Sequence, residues 1–284
     1  MRYASACLQY MKVRQQNMIK LYNNGAEFIT ENEHMLNLNK YMSTFFFMDA
    51  PLLKETNKSN YAIKAEASSR RLLAMKVEPY NLMLYGDRNL LPELLQFISR
   101  NDYVMEGVMC PSDIGEYLVD ISNNVIGKEY VKSIGMDFME TTKYTEPSSD
   151  EVTVPSHENL DQLYGFYVNF IRDCGLTDKP DRERLEKNLS SFRIVKADGE
   201  PVSMAAFSVN TDSSYRITHV YTKPEYRGKG YARKVVNSLK NEILAMGKTA
   251  TLNVDQANPV SYHLYSSLGF EKVFSQGLFY PKQK

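Results

Sequence analysis

The chain has 284 residues, 43% of them hydrophobic, and its 34 Lys and Arg are balanced by 34 Asp and Glu. This length predicts two domains or one large domain, and the composition is typical of a globular protein rather than a disordered, fibrous or coiled-coil chain. Because the charges balance, we expect no general binding to nucleic acid, which relies on clustered positive charge.

The apolar segments are too short for a membrane or secretory role. The longest, residues 45–53, is interrupted by Asp49 and cannot span a bilayer, and Gln9 and Lys12 interrupt the N-terminal segment. The three cysteines and four histidines show neither a disulfide framework nor metal-ligand spacing. We therefore expect a cytoplasmic protein with reduced thiols, no metal and no membrane association.

The first half is predicted to be mixed α and β, without a chemical motif. Residues 5–45, including Met18 and Leu21, have near-helical apolar spacing and predict helices, and a polar loop follows over residues 54–60. Ser112 is predicted to cap the last helix of this half. The predicted strands cover residues 61–65, 72–77, 81–85 and 103–108, and the later predicted helices cover residues 90–98 and 111–121.

A composition break separates the two halves. Residues 141–156 are rich in Thr, Ser, Pro and Glu, and we place a domain boundary near residue 146, between domains 1–145 and 146–284. The second half is predicted to alternate between helices and strands. The predicted helices cover residues 160–171, 232–244 and 259–268, with a short one after Asp181, and the predicted strands cover residues 192–197, 202–209, 215–222, 249–254, 270–274 and 278–280.

One loop of the second half has the arrangement that suits a bound anion. Between a predicted strand and a predicted helix stand Arg227, Gly228, Lys229, Gly230, Tyr231 and Ala232. A helix start leaves backbone N–H groups unpaired, and glycines let that backbone approach a phosphate closely. A Walker loop is excluded because GxxxxGK[ST] is absent, and the dinucleotide fingerprint fails because Arg233 replaces its third glycine. A coenzyme A pyrophosphate loop, Arg/Gln-x-x-Gly-x-Gly/Ala, and a plain glycine-rich turn both fit.

A downstream segment favours the coenzyme A interpretation. Residues 258–270 read NPVSYHLYSSLGF and match the pattern N-x-x-A/S-x-x-L-Y-x-x-L-G-F. With VYTKPEYRGKGYA over residues 220–232, this segment resembles the GCN5-related N-acetyltransferase (GNAT) superfamily, close to its FR47-like branch of predicted bacterial acetyltransferases. The resemblance covers about residues 150–284. It implies an α/β (α+β) acyl-CoA N-acyltransferase fold, a mixed central β-sheet flanked by helices.

The first half is similar in element order to a second, degenerate GNAT-like domain, as in tandem GNAT proteins. After its candidate central strand the chain reads Tyr85-Gly86-Asp87-Arg88-Asn89. The phosphate pattern is missing and an acid stands where phosphate would bind. We therefore expect this half not to bind coenzyme A. Its expected role is packing and formation of the substrate cleft.

The resemblance also implies roles for individual residues. Strands 215–222 and 249–254 would be parallel neighbours that splay apart, with the main chain of Val220 and Thr222 bonded to the pantetheine arm. A backbone N–H near Val220 would stabilise the tetrahedral oxyanion. Asn258 would cap its helix, and either contact the pantetheine region as well or cap alone. Tyr265 would be the general acid toward the thiolate leaving group, or else one more tyrosine on an apolar helix face.

No general base is singled out by the sequence. His219, Glu225 and Asp255 are candidates for deprotonating the acceptor amine, and water is an alternative relay. Strand alternation predicts that His219 lies on the same face as Ile217 and Tyr221.

Together these features predict an acetyl-CoA-dependent N-acetyltransferase that uses coenzyme A thioester as acyl donor and no metal. Its acceptor would be a primary amine of a small molecule, an amino acid or a peptide, attacking directly in a ternary complex. Cys174 falls outside both motifs, which disfavours a covalent thiol route. The alternative function is a non-catalytic acyl-CoA-binding sensor or scaffold protein.

Overall fold

The computed structural model describes residues 18–175 and 179–283. The chain divides into two compact units, one made of the residues up to Met136 together with those from Phe274 onward, and one spanning residues 137–273. The predicted domain boundary near residue 146 is not tested by this division and stays a prediction. Within the described residues, no helix is long and apolar enough to cross a membrane.

The first unit is a mixed β-sheet with helices on both faces. Strands β1 to β4 form antiparallel pairs in chain order, and β4 pairs with β5 in parallel. One buried cluster lies beneath α3 and α4, and another beneath α1 and α2. The elements are β1 (Met18–Tyr22), α1 (Gly25–Leu36), α2 (Lys40–Asp49), β2 (Tyr61–Ala67), β3 (Arg70–Lys76), β4 (Leu82–Gly86), α3 (Leu91–Arg100), β5 (Val108–Pro111), α4 (Ser112–Ile126) and β6 (Tyr130–Thr141).

The second unit has the same layers. Strands β7 to β10 form antiparallel pairs in chain order, and β10 pairs with β11 in parallel. Helices α7 and α8 cover one face and α5 and α6 the other, each over its own buried cluster. The elements are β7 (Val152–Thr153), α5 (Leu160–Asp173), α6 (Arg182–Lys187), β8 (Phe192–Ala197), β9 (Glu200–Thr211), β10 (Ser214–Thr222), α7 (Tyr231–Ala245), β11 (Thr249–Asp255), α8 (Pro259–Ser267) and the first residues of β12 (Glu271–Pro281), which belongs to the first unit from Phe274 onward.

The two halves of the chain repeat one order of elements. In the first half the order is β4-α3-β5-α4-β6, and in the second half it is β10-α7-β11-α8-β12. In each unit the first strand of this order pairs antiparallel with the strand before it and parallel with the strand after the helix. The predicted mixed sheet flanked by helices is confirmed in each unit.

The predicted N-terminal helices are wrong at Met18–Tyr22. These residues form β1 because they pair along their whole length with β2, from Met18 opposite Glu66 to Tyr22 opposite Ala62. Tertiary pairing here overrides the near-helical spacing. The helices start later, where Asn24 and Asn39 accept backbone N–H groups as N-caps. Residues 5–17 of the prediction lie outside the described residues.

Three further boundaries differ from prediction. The strand predicted over 103–108 is wrong, since β5 begins at Val108 and the Tyr103 ring stacks against Phe97 at 6.0 Å instead. Ser112 is the first residue of α4 and makes no capping bond, because Pro111 precedes the helix. The two predicted terminal strands are one strand, β12. At Gly277 of this strand the Phe279 side chain lies close to the backbone, because a Cβ built there would be 2.7 Å from a carbon of its ring.

Candidate active site

β10 and β11 lie side by side only where they begin. Their parallel register joins residues 214–216 to residues 249–251, although β10 continues to Thr222 and β11 to Asp255. On its other edge β10 stays paired with β9 as far as Thr222. Beyond Arg216, one edge of β10 therefore has no strand partner among the described residues, and an extended ligand can bond such an edge. The predicted splaying of these two strands is confirmed.

A β-bulge interrupts β10 beyond this point. Thr218 is opposite Ala206, but the next paired residue, Tyr221, is opposite Met204, so β10 holds one extra residue. His219 has a φ of 52° within the bulge, in the left-handed region that few non-glycine residues adopt. Such a bulge changes which face the following side chains lie on.

The predicted shared face of His219, Ile217 and Tyr221 is wrong. Ile217 packs in the cluster beneath α7, whereas Tyr221 packs in the cluster beneath α5. The His219 ring contacts Tyr167 and Phe170 of α5, with ring centroids 5.0 and 5.3 Å apart. The extra residue of the bulge thus puts His219 and Tyr221 on the α5 face and leaves Ile217 on the opposite face.

The loop after β10 leaves the start of α7 open. Gly228 and Gly230 have φ values of 75° and 84°, the region that favours glycine, and Gly230 directly precedes the helix. A Cβ built on either glycine would meet no heavy atom of another element within 4 Å, so the loop borders open space. Within the described residues no side chain caps α7, and its first turn holds no acid. Unpaired N–H groups and the positive end of the helix dipole therefore face a space that suits an anion.

Aromatic and cationic side chains surround this loop. The Lys229 ammonium lies 5.0 Å from the centre of the Tyr226 ring, which contacts the Tyr231 ring edge-on at 6.0 Å. Tyr231 and Ala232 are half-buried in the first turn of α7, and Gly228 to Gly230 are exposed. The predicted anion-binding residues are thus contiguous and accessible, and their contact with coenzyme A stays a prediction.

Arg227 links the end of β10 to α5. Its Nε donates to the carbonyl oxygen of Thr222 at 3.0 Å, and its Nη2 lies 2.9 Å from a carboxylate oxygen of Asp173. The hydrogen bond from Arg227 lowers the pKa of Asp173 below its usual range. The arginine of the motif therefore positions the loop through protein contacts, and Asp173 pairs with its charge.

The two predicted pantetheine contacts differ in their surroundings. Val220 is half-buried and packs against the cluster beneath α7. Thr222 is buried, with its hydroxyl 2.8 Å from that of Ser203 and its carbonyl accepting from Arg227. A carbonyl has two lone pairs, so Thr222 retains one acceptor position.

Tyr265 and Asn258 lie where the second motif predicts. The Asn258 side-chain oxygen accepts the Ser261 N–H at 3.0 Å, which confirms the helix cap. Tyr265 is only 6% exposed, and burial raises the pKa of its phenol to about 12, with a hydrogen bond from the Ser261 side chain opposing this rise. The phenol is therefore protonated at neutral pH, as a general acid requires.

One apolar cluster brings the predicted residues together. Tyr265 packs in the cluster beneath α7 and α8, and the half-buried Val220 and Tyr231 pack against that same cluster. The edge of β10, the start of α7 and the phenol thus share one side of the sheet. Glu225 is exposed, and the Asp255 carboxylate accepts the Ala257 N–H at 2.8 Å as part of a turn.

Sequence reasoning missed the contacts that join α7 to α8. Arg233 makes two hydrogen bonds with the Glu146 carboxylate, of 2.9 and 2.7 Å, and one of 2.7 Å with the Ser267 hydroxyl. The fully buried Lys240 donates to the carbonyl of Leu268 at 3.1 Å. A lysine inside the apolar stripe of α7 was the available signal, but its partners come from distant segments that spacing does not reveal.

The corresponding loop of the first unit carries a carboxylate of its own. β4 and β5 also part, after only two register pairs. The Asp87 carboxylate, however, accepts the backbone N–H of Asn89 at 2.9 Å. A Cβ at Gly86 would lie 2.2 Å from the carbonyl oxygen of Arg71, so the backbone approaches closely there. The strand geometry is repeated, whereas a carboxylate of the protein caps the 3-10 turn of residues 88–90 that precedes α3.

Comparison with known proteins supports the predicted family resemblance for part of the second unit. Residues 194–278 match the family model described as FR47-like protein. This match confirms the predicted resemblance to the GNAT superfamily over residues 194–278, which we call the FR47-like domain. The FR47-like domain contains β10, α7, β11 and α8, and thus every site residue that the sequence predicts.

A curated relative and three solved structures are similar to the chain. The ribosomal protein bS18–alanine N-acetyltransferase of Haemophilus ducreyi is 36% identical over 59 residues, which are 20% of this chain and 41% of that protein. The match thus spans about two fifths of the length of this curated relative.

Among solved structures, a GNAT acetyltransferase from Colwellia psychrerythraea has a TM-score of 0.59 at 11% identity, covering 94% of this chain and 100% of its own. A GCN5-related N-acetyltransferase from Sphaerobacter thermophilus has 0.54 at 14% identity, covering 82% and 84%. A tandem GNAT protein from the clavulanic acid biosynthesis pathway has 0.50 at 8% identity, covering 93% and 98%. At these identities the likeness shows the GNAT fold.

Proposed function

We propose that this protein is an acetyl-CoA-dependent N-acetyltransferase. The observation that carries the proposal is the splayed edge of β10, which shares one apolar cluster with the open start of α7 and the protonated phenol of Tyr265. The FR47-like domain that contains these features resembles the GNAT superfamily, which supports the assignment.

The loop of the FR47-like domain would hold the pyrophosphate of the donor. Backbone N–H groups over residues 228–232 supply hydrogen bonds, and the helix dipole and Lys229 supply positive potential. Because a Cβ at Gly228 or Gly230 would project into the open space, glycine at both positions keeps room for phosphate. Val220, Thr222 and Asn258 would contact the pantetheine arm along the free edge of β10.

Direct transfer fits the groups available. The acceptor nitrogen forms a bond to the thioester carbonyl carbon, a backbone N–H near Val220 stabilises the oxyanion, and the carbon–sulfur bond then breaks. Tyr265 gives its proton to the leaving sulfur, and the proton lost by the amine passes to water. We propose no covalent acyl-enzyme and assign no side chain as general base.

The acceptor in this proposal is a primary amine of a small molecule, an amino acid or a peptide. The curated relative is named for acetylation of a ribosomal protein alanine, which supports a peptide or amino-acid amine. The balanced charge of the chain favours neither a polyanionic nor a polycationic acceptor.

The test compares Tyr265→Phe with Tyr262→Phe, a matched control in which a tyrosine of the same helix loses its hydroxyl. Thiol release and the mass of the acetylated amine are followed with acetyl-CoA and an amine panel. We expect Tyr265→Phe to lower kcat about 10- to 100-fold, leaving the KM for acetyl-CoA within about twofold, because the general acid is lost. Tyr262→Phe should retain wild-type kcat.

The pH dependence of kcat is a second test of Tyr265 as general acid. A general acid acts when protonated, so its contribution is lost only as pH rises toward its pKa of about 12. Tyr265 should therefore cause no decline in kcat near neutral pH. An unchanged kcat in Tyr265→Phe would contradict its role, and acetyl-CoA binding without thiol release across the whole panel would favour the non-catalytic sensor.

A further inference from the structure

Arg216 lies at the closed end of the gap between β10 and β11. It is opposite Thr251 in the last register pair of the two strands and opposite Ser208 on β9. Its neighbours Tyr215 and Ile217 pack against the cluster beneath α7. Because successive side chains of a strand lie on opposite faces, Arg216 is on the face that α5 and α6 cover in part.

This position is on the side of the sheet away from the proposed donor loop. The donor loop and Tyr265 belong to the α7 face, whereas Arg216, His219 and Tyr221 belong to the α5 face. At about 3.3 Å per strand residue, Arg216 lies roughly 10 Å along β10 from the bulge at His219. An arginine side chain spans much of that distance.

The guanidinium of Arg216 has no counter-charge in the parts of the chain that the structure describes. The side chain is half-buried, and its Nε is fully shielded from solvent without a hydrogen-bond partner. Burial lowers the pKa of this guanidinium below its usual range. Other arginines of the second unit differ, since Arg193 donates to Glu242 at 2.8 Å and Arg233 pairs with Glu146.

An unpaired, desolvated cation lowers the stability of a fold unless a ligand compensates it. The planar guanidinium fork matches the two oxygens of a carboxylate and binds them with two parallel hydrogen bonds. The nearby parted strands are where the proposed function brings the acceptor amine and the acetyl group together.

We propose that Arg216 binds a carboxylate of the acceptor, so that the preferred acceptor is an amine that also carries a carboxylate, such as an amino acid or a short peptide. This inference rests on the proposed function and makes Arg216 a specificity-determining residue for the same site. The donor side of the site does not involve it.

The experiment compares acceptors that differ only in the carboxylate. L-alanine is paired with L-alaninamide, and glycylglycine with glycylglycinamide, each with acetyl-CoA. For the wild type we expect kcat/KM to be at least about tenfold higher for the acid of at least one pair, since a two-point guanidinium–carboxylate contact is lost in the amide.

Three variants sharpen this comparison. Arg216→Met should abolish the preference by raising the KM for the acid alone, and Arg216→Lys should restore part of it. Arg70→Met removes one exposed arginine from the first unit and should leave the preference unchanged. The KM for acetyl-CoA should stay the same in all three variants, and thermal unfolding checks that each is folded.

Direct binding separates this inference from the proposed function. The probes are N-acetyl-L-alanine and its amide, which carry the two end groups without requiring turnover. Calorimetric binding of the acid that is lost in Arg216→Met, without any acetyl transfer, would contradict the proposed function and support the carboxylate site. An acid preference that persists in Arg216→Met, no preference in the wild type by either measurement, or a loss of acetyl-CoA affinity in Arg216→Met would overturn the inference.

Discussion

In the first unit Asp87 precedes the 3-10 turn of residues 88–90, and in the second unit Gly230 precedes α7. Both loops follow a strand that pairs antiparallel on one edge and parts from its parallel neighbour on the other. In the first unit the carboxylate of Asp87 satisfies a backbone N–H that would otherwise be free. In the second unit the corresponding N–H groups face open space among cationic side chains.

The difference shows that the repeated topology does not by itself make a phosphate site. The strand gap is a property of the fold, whereas anion binding depends on what occupies the helix start. Asp87 caps the 3-10 turn before α3 and would repel phosphate, whereas Gly230, in the left-handed region before α7, does neither. A capping carboxylate in the first unit and a glycine before the helix in the second thus distinguish the two loops.

The largest expected effect comes from filling the open loop. In Gly230→Glu, a side chain would occupy the space above α7 and place a carboxylate among the N–H groups proposed to hold pyrophosphate. We expect coenzyme A affinity measured by calorimetry to fall at least about 100-fold, or about 2.7 kcal/mol.

The control for this variant is Gly199→Glu. Gly199 has a φ of 83° in the hairpin turn between β8 and β9, so the backbone strain is matched without a charge in the loop. Gly199→Glu should keep wild-type coenzyme A affinity. Equal affinity in Gly230→Glu and the wild type would show that the donor binds elsewhere.

A smaller effect is expected from removing the capping carboxylate of the first unit's loop. Asp87→Ala removes the acceptor of the Asn89 N–H, so the free energy of unfolding should fall by about 1 kcal/mol in urea titrations. Coenzyme A affinity should not change, because this loop is not the donor site. A second binding event in Asp87→Ala, or a weaker first one, would break the proposed division of roles.

The smallest effect concerns acid stability. Glu31 of α1 forms ion pairs with Lys20 of β1 and Lys64 of β2. The hydrogen bonds from Lys20, and to a smaller extent from Lys64, lower the pKa of Glu31 from 4.5 to about 2. A lowered carboxyl pKa contributes stability that is complete above 4.5 and is lost as pH falls toward 2. Glu31→Gln should therefore flatten the loss of stability over this interval, by less than about 1 kcal/mol because the pair is partly exposed. An unchanged acid slope would contradict the role of Glu31, and coenzyme A affinity at neutral pH should be unaffected.

Most elements of the second unit were predictable from the sequence. The apolar stripe of α7, the asparagine–proline start of α8 and the hairpin at Gly199 are local signals, and local signals survive folding. β1 was not predictable, because Met18–Tyr22 is a strand only by pairing with β2, a segment about 40 residues away in sequence.

The candidate site was predictable only in part. The motif residues Gly230 and Tyr265 are recognisable by spacing, but the bulge at His219 inverts the side-chain alternation on which face assignments depend. The sequence also does not reveal that Arg216 lacks a counter-charge among the described residues, because this depends on which side chains lie near it in the fold.

The central claim is that the start of α7, and not the start of α3, holds the donor phosphates. Amide hydrogen exchange of the full-length protein, with and without coenzyme A, tests this most directly. The account predicts slower exchange over residues 228–234 on addition of coenzyme A and no change over residues 86–92. Protection over residues 86–92, or none over residues 228–234 at saturating coenzyme A, would contradict it.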